Sequence, residues 1–391
     1  MSDNIPFDVQ MEIIKKVSDV KSLIRFRSVS KQWMSFIDSP EFIACFGVRH
    51  TQPQSLLLRY KDNVDEVKYV SFVDGENQYQ QDFGPNVPLF VKQLYNSKVI
   101  GSSYGLWCLH GFNSSGAEEM LVIWIPSIRI SVGIVVPFVS SFCKMTNFGF
   151  GVCPSTYDPT IVMMSNSYGF LERKDTYKWQ VEIFTLSSKT WKMIPSSNLP
   201  CGSFRFGVTT QVAIDKFIYW FSHDRIVGND GASEIKNFIL SFDLITHQFK
   251  EINLPSSLAN ELSQNFSISK LRESLVVSAY TNEVNHGRVY GVWMMEEEGG
   301  VMTSFKKLFN IKTPDDSPVS KVLGFTMSGE PIMETETDHK EVATVKVYKP
   351  CSEHIKDLGI NGEDGSFFIF PYTETLLLVD HSDRCIISND S

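Results

Sequence analysis

The sequence lacks the features that mark secreted, membrane-spanning and metal-binding proteins. No run of 18 apolar residues occurs in its 391 residues and no charged-then-apolar leader opens it, so we expect neither a membrane span nor secretion by a signal peptide. Its seven cysteines form no C-x-x-C pair, which predicts reduced thiols in the cytoplasm or nucleus. The eight histidines have no metal-ligand spacing, so no metal or cofactor is predicted.

Positive charge is also scarce. The chain has 36 Lys and Arg against 45 Asp and Glu, a net charge of −9. Residues 1–46 hold six of each sign, so the whole acidic excess lies in the remainder. An acidic domain without a basic stripe repels phosphate backbones, which argues against direct nucleic-acid binding.

The N-terminal segment instead has the signals of three short helices. Pro6 suits the first turn of a helix, and apolar residues then recur at helical spacing. Asp19 and Ser30 stand where the N-caps of a second and a third helix are expected, and Ser39-Pro40 ends the third. A unit of this size buries too little surface to be stable alone, so we expect it to pack on a partner.

After about residue 50, short β-branched and aromatic runs alternate with turn residues. One type of run recurs at intervals of 45 to 57 residues, anchored on Trp107, Val162, Tyr219, Val276, Ile332 and Leu377. A second type recurs at intervals of 51 to 60 residues, anchored on Trp124, Phe184, Phe242, Trp293 and Tyr348. Two hairpins in each period predict a six-bladed β-propeller, with five or seven blades as the alternative. An early hairpin, from the runs at Ser55 and Val67, is expected to complete the last blade.

The connections of this predicted propeller differ in length on its two faces. Turns inside the hairpins are short, whereas the connections between hairpins are long and fall on the opposite face. Long loops on a rigid scaffold commonly carry recognition. We therefore predict a substrate-binding face that contains Phe112, Phe142, Tyr168, Phe170, Arg173, Phe204, Arg205, Phe206, His223, Arg225 and Arg288.

Catalysis is not predicted. The repeated runs are almost wholly apolar, and their neighbouring carboxylates lie in turns, where turn geometry explains them. No G-x-S-x-G occurs, and Gly149-Phe150-Gly151 is too short to cradle a phosphate. A propeller hydrolase and a stand-alone propeller that binds protein or glycan stay as alternatives.

Two stretches resemble a known family. The run V-K-S-L-I-R-F-R-S-V-S-K-Q-W, within residues 5–43, is similar to the plant F-box, although Ile5 replaces the usual Leu and Ser18-Asp19 stands where many relatives have one Pro. I-W-I-P-S-I-R-I-S-V-G-I-V-V-P, F-G-F-G-V-C-P-S-T-Y-D-P-T-I-V-M-M and W-Q-V-E-I-F-T-L-S-S-K-T-W-K-M-I resemble the F-box-associated domain. That domain is often described as kelch-like, but the Gly-Gly doublet of true kelch blades is absent from the second strands.

The resemblance implies a three-helix F-box in residues 1–45 and a propeller interaction domain in residues 50–385. It further implies the substrate-recognition subunit of an SCF-type ubiquitin ligase, which binds a Skp-family adaptor and, through it, a cullin. Such a receptor recruits a target protein for ubiquitination and catalyses nothing itself; the sequence does not identify that target. The residues implied at the adaptor interface, or in its immediate support, are Ile5, Pro6, Ile13, Ile14, Leu23, Val29 and Trp33.

Overall fold

The computed structural model of the chain describes most of its length, in segments separated by gaps. The described residues are 5–49, 55–72, 81–82, 87–116, 118–137, 144–167, 179–195, 199, 204–207, 211–227, 233–259, 266–283, 287–298, 301–312, 318–337, 341–379 and 385–387. No helix in these ranges is long and apolar enough to cross a membrane.

The helices begin where their capping residues predict. The Asp19 carboxylate accepts a hydrogen bond from the Ser22 amide at 2.8 Å, and the Ser30 hydroxyl accepts one from the Trp33 amide at 3.1 Å. Pro40 does not only end the third helix, as predicted, but begins a fourth. The helices are α1 Phe7–Lys15, α2 Val20–Arg27, α3 Lys31–Ile37, α4 Pro40–Arg49, α5 Leu89–Gln93 and α6 Ser256–Ala259.

The strands of the described residues form six sheets, which confirms the predicted six-bladed propeller. Blade 1 contains β4 Tyr95–Ser103, β5 Leu106–Phe112, β6 Glu119–Ile125, β7 Ile130–Val135 and, from the C-terminal segment, β26 Cys385–Ile387. Blade 2 contains β8 Lys144–Val152, β9 Pro159–Ser167, β10 Trp179–Thr185 and β11 Thr190–Ile194. Blade 3 contains β12 Arg205–Phe206, β13 Val212–Ile214, β14 Phe217–Val227, β15 Ser233–Asp243 and β16 Phe249–Asn253.

The remaining blades follow the same order from the centre of the ring outwards. Blade 4 contains β17 Ser267–Leu271, β18 Ser274–Glu283, β19 Gly287–Glu298 and β20 Val301–Ile311. Blade 5 contains β21 Val319–Phe325, β22 Pro331–Glu336, β23 Val342–Lys349 and β24 His354–Glu363. Blade 6 contains β25 Phe368–Tyr372, β1 Ser55–Lys61, β2 Val67–Phe72 and β3 Gln81–Asp82.

Blade 6 closes the ring differently from the prediction. The run anchored on Leu377 is not a strand, because Leu376 and Val379 pack against the N-terminal helices and Leu378 packs against blade 1. The N-terminal segment supplies three strands of this blade. Its first strand, β1, stands second from the centre, where the run at Leu377 was expected. It pairs with β25 from Ser55↔Tyr372 to Arg59↔Phe368. The prediction that an N-terminal hairpin completes the last blade is thus right in kind. The prediction of a strand at Leu377 is wrong.

Buried aromatic and polar side chains seal the joint between blades 6 and 1. Tyr69 of β2 meets Trp124 edge to face, with ring centroids 5.3 Å apart, and Trp107 and Trp124 are both fully buried. Arg59 of β1 is buried as well, and its guanidinium donates to the Ser97 carbonyl at 2.7 Å and to the Ser97 hydroxyl at 2.8 Å. These contacts join the first strand of the propeller to the innermost strand of blade 1.

The two ends of the propeller have different connections. We name the end with the turns within hairpins, such as residues 104–105 and 215–216, the short-turn face. The opposite end, where hairpins are joined by stretches such as residues 168–178 and 254–266, is named the long-loop face. Because β1 begins at the short-turn face and β25 ends there, the helices that precede β1 must lie on that face.

Gln211, just before β13 of blade 3, packs between the innermost strands of blades 1 and 2. Its side-chain amide donates to the Phe150 carbonyl at 2.9 Å and accepts from the Phe150 amide at 3.3 Å, so it pairs the free inner edge of β8. The side chain lies against Gly101, where an added Cβ would come within 1.8 Å of the Gln211 amide nitrogen. The inner edge of a strand needs such a partner when it is buried.

We predict that Gln211→Leu lowers the free energy of unfolding by about 1–3 kcal/mol, because it leaves the buried N–H and C=O of Phe150 unpaired. Urea unfolding followed by circular dichroism measures the change. Gln180→Leu, on an exposed position of β10, is the matched control and should cost less than about 0.5 kcal/mol. An equal effect of the two substitutions would show that the amide of Gln211 contributes nothing specific.

Candidate interaction sites

The N-terminal helices share their hydrophobic core with the propeller. Ile14, Val20, Leu23 and Ile37 are fully buried, together with Leu376 and Val379 of the segment that follows β25. Ile128 and Ile130, at the turn before β7, complete this cluster from blade 1. The helical unit therefore docks on the short-turn face and buries one side there.

A hydrogen bond fixes the same junction. The Glu374 carboxylate accepts from the Val20 amide, in the first turn of α2, at 3.0 Å. This bond satisfies a backbone group that has no partner inside the helix, and it places a negative charge at the positive end of the helix dipole. Within the unit, the Arg27 guanidinium binds the Asp38 carboxylate at 2.6 and 2.7 Å and ties α2 to the residue after α3.

The other side of the helical unit is apolar and exposed. Ile5, Val9 and Ile13 recur at i, i+4 and i+8 along one stripe that enters and follows α1, and their exposed fractions are 45, 48 and 53%. Val29 and Met34 are 61 and 42% exposed. We name these five residues the apolar stripe. Val9 and Met34 were not among the predicted adaptor residues, although the spacing of Val9 with Ile13 signals it.

The predicted adaptor residues divide into exposed and buried groups. Ile5, Pro6, Ile13 and Val29 are exposed, so a partner can reach them. Ile14 and Leu23 have no exposed surface, so of the two predicted positions only support of the interface from the core is open to them. Trp33 is half-buried: its indole donates to the Gln10 side chain at 2.8 Å and holds α3 against α1. The adaptor role of the exposed residues stays a prediction.

We predict that Leu376→Ala loosens the helical unit while leaving the propeller intact, because it removes a buried side chain from their shared core, a change that typically costs about 2–5 kcal/mol. Hydrogen exchange should quicken in α1 to α3 and stay unchanged in β14 and β15. Leu89→Ala, at a Leu that is 48% exposed, is the control. Unchanged exchange in α1 to α3 would mean that the helices hold their structure without the propeller.

The long-loop face carries aromatic and charged side chains at the ends of blades 1 and 2. The His110 ring lies 4.8 Å from the Phe148 ring and 6.1 Å from the Phe112 ring, measured between centroids. His110 Nε2 contacts the Glu119 carboxylate at 2.7 Å. Phe112 is half-buried, which leaves part of its ring open to solvent.

Blade 3 extends this cluster. The Arg205 guanidinium donates to Met145 Sδ of blade 2 at 3.5 Å, and Arg205 pairs across the sheet with His223. Phe206 meets Trp220, whose indole donates to the Phe148 carbonyl at 3.1 Å. Burial lowers the pKa of His223, and the neighbouring Arg205 charge lowers it further, against the opposing effect of Asp224. The His223 ring therefore takes up a proton less readily than a free imidazole does.

The structure brings several of the predicted face residues together and corrects one. Phe112, Arg205, Phe206 and His223 are half-buried at the long-loop face, whereas Phe204 is fully buried, stacked on Trp179 with ring centroids 5.1 Å apart. Phe204 thus supports the face from beneath, because its ring belongs to the hydrophobic core between blades 2 and 3. Phe142, Tyr168, Phe170 and Arg173 lie outside the described residues, and Arg225 and Arg288 lie in β14 and β19 without a described side chain.

Two surfaces of the described residues are candidates for binding: the apolar stripe, and the aromatic and charged cluster of the long-loop face. Within the described part of the chain, no three His, Cys, Asp or Glu side chains come close enough together to hold a metal ion. Loops at the edge of a rigid scaffold commonly carry recognition. The fold is that of a six-bladed propeller protein with an N-terminal helical unit packed on its short-turn face.

Comparison with protein families names these two parts. An F-box domain matches residues 2–44, and an F-box associated beta propeller domain matches residues 112–376. The second match covers more than half of the chain. The chain therefore belongs to the F-box proteins that carry an F-box-associated β-propeller domain.

Curated relatives from Arabidopsis thaliana carry the F-box name. At4g38870 is 24% identical over 305 residues, which cover 76% of this chain and 66% of that protein. At3g16210 is 25% identical over 259 residues, 65% of this chain and 62% of that protein. At5g15660 is 24% identical over 394 residues, 97% of this chain and 82% of that protein. The chain thus spans slightly less than two thirds of the length of the first two.

Solved structures with similar architecture are more distant. The hemagglutinin-neuraminidase of parainfluenza virus 5 aligns with a TM-score of 0.41 and 8% identity, over 69% of this chain and 81% of that chain. The β-propeller domain of the trilobed protease from Pyrococcus furiosus aligns with a TM-score of 0.37 and 13% identity, over 68% and 71%. At this level of similarity, the activities of those proteins say nothing about this one.

Proposed function

We propose that this protein is the substrate receptor of an SCF-type ubiquitin ligase, in the cytoplasm or nucleus. Its F-box binds a Skp-family adaptor, which links it to a cullin, and its propeller captures a target protein. The observation that carries the proposal is the apolar stripe, which stays exposed although the rest of the F-box core is buried against the propeller.

The stripe supports an adaptor interface for a physical reason. Apolar side chains on a soluble protein usually occur singly, and several on one helical unit mark a surface that another molecule covers. Three of the five residues lie on one line along α1, so a partner that fits this line buries them together. The propeller cannot cover them, because it already occupies the opposite side of the same helices.

Charge placed in the stripe tests the adaptor interface. We predict that Val29→Asp weakens binding of purified adaptor by about 30-fold or more, because an interface centre tolerates no unpaired carboxylate. Val64→Asp, at a Val that is 73% exposed on the propeller, is the matched control and should bind adaptor normally. Both positions are exposed, so both variants should fold, which a substitution of the buried Leu23 would not allow.

Isothermal titration with the adaptor measures the affinity of each variant. Equal affinity of Val29→Asp and the unaltered chain for the adaptor would show that the apolar stripe is not part of the adaptor interface. Absence of adaptor binding in the unaltered chain, together with intact target capture, would instead favour the stand-alone binding propeller.

The target surface is proposed on the long-loop face. Adaptor and target then bind at opposite ends of one scaffold, so they do not compete for surface. The receptor makes and breaks no bond. It raises the effective concentration of target lysines near a ubiquitin-charged enzyme, so catalysis by the assembly depends on proximity.

Reversal of charge tests the target surface. We predict that Arg205→Glu reduces target capture about tenfold without a change in adaptor binding, because Arg at a partly buried site is a frequent anchor of interfaces. Proximity labelling in a Val29→Asp background, in which captured targets escape degradation, measures the capture. Lys189→Glu, in an exposed short turn of blade 2, is the control. Identical sets of labelled proteins for the two variants would place the target elsewhere.

A further inference from the structure

A cavity lined by described residues lies along the axis of the propeller. Its volume is about 960 Å³, at the upper end of the roughly 300–1,000 Å³ that small-molecule sites occupy. The innermost strands of blades 4, 5 and 6 form most of its wall, and residues of blades 1 and 3 extend it. Blade 2 contributes no residue of β8, because Gln211 already covers that edge.

The wall of the cavity combines an aromatic and aliphatic part with polar residues. Phe368 and Phe370 of β25 are half-buried and line it, as do Leu271 and Leu323. Ser102 and Ser103 of β4, both half-buried, line it as well. An occupant can therefore pack on aromatic rings and find a hydroxyl group on the same wall.

The charged side chains beside the aromatic wall are paired. Lys321 Nζ lies 3.1 Å from the Glu334 carboxylate, which has no exposed surface, and 5.1 Å from the centre of the Phe368 ring. Burial raises the pKa of Glu334, and the Lys321 charge opposes that rise. Lys270 Nζ pairs with the Glu273 carboxylate at 3.0 Å, and the other charged residues of the lining are exposed or half-buried: Asp215, Arg272, Asp364 and Glu374. A charged occupant packed on Phe368 would therefore find no unpaired counter-charge beside it.

One end of the cavity is formed by the F-box and its docking segment. Ile43 of α4 contributes to the wall, together with residues 373–375 and Leu377. Across the opening, Tyr104 and Tyr157 meet edge to face with ring centroids 5.9 Å apart. A molecule in the cavity therefore reaches both the propeller axis and the F-box.

We propose that this cavity is a binding site for a small uncharged molecule with a ring system and one or two hydrogen-bonding groups. Its rings pack on Phe368 and Phe370, a polar group pairs with the Ser102 hydroxyl, and its end contacts Ile43 of the F-box. The site is separate from the apolar stripe and from the long-loop cluster, and it does not depend on the proposed ligase role.

Nile red, an uncharged fused-ring dye, is the probe for the full-length chain. We expect saturable fluorescence enhancement with single-site stoichiometry. Ser102→Phe, on the innermost strand of blade 1, fills part of the cavity and should weaken dye binding about tenfold or more. Ser304→Phe makes the same substitution on the exposed outer strand of blade 4 and should bind the dye like the unaltered chain.

Folding of each variant is checked by thermal unfolding, and Ala213→Phe, on the wall from blade 3, replaces Ser102→Phe if the latter melts early. Equal dye affinity in the cavity variant and the unaltered chain, or no saturable binding at all, would overturn the proposal. The anionic ring dye 1-anilinonaphthalene-8-sulfonate should bind about tenfold or more weakly than Nile red. Equally tight binding of the anionic dye would overturn the assignment to uncharged molecules.

Discussion

The backbone ladder between β25 and β1 is the constraint on which the rest of this structure depends. It joins a strand near the C-terminal end of the described chain to the first strand of the propeller, so blade 6 exists only when both are present. Closure of the ring packs blade 6 between blades 5 and 1, so neither of these blades is left with an uncovered apolar face. The direction of this ladder also decides where the F-box lies, since β1 starts at the short-turn face.

The segment after β25 connects the last strand of the propeller to the core of the F-box. Leu376 and Val379 leave the last strand on the same face on which the F-box helices arrive, and they complete the F-box core. A helical unit that is too small to be stable alone thereby obtains part of its core from its own chain. What remains for an outside partner is the apolar stripe on the opposite side. The two domains are therefore parts of one packing arrangement rather than independent modules on a linker.

The helix caps at Asp19 and Ser30 and the recurrence of hairpins were predictable because each depends on interactions between neighbours in the chain. The second strand of the sixth blade was not, because the run at Leu377 has the same local pattern as a strand and only its long-range packing distinguishes it. Ile14, Leu23 and Phe204 show a similar limit. Apolar spacing identifies a helix face or an aromatic loop residue, but it does not say whether a partner protein or the chain's own core will cover it.

The sequence by itself determined the two-part organisation, the six repeated units and the separation of short turns from long loops, because periodicity and turn chemistry are local. Only the tertiary structure decided which strands close the ring, which side of the F-box stays free, and that a cavity runs along the axis. Those features arise from contacts between residues far apart in sequence. Arg59 with Ser97, Val20 with Glu374 and Gln211 with Phe150 are paired by the geometry of the closed ring, which no local pattern records.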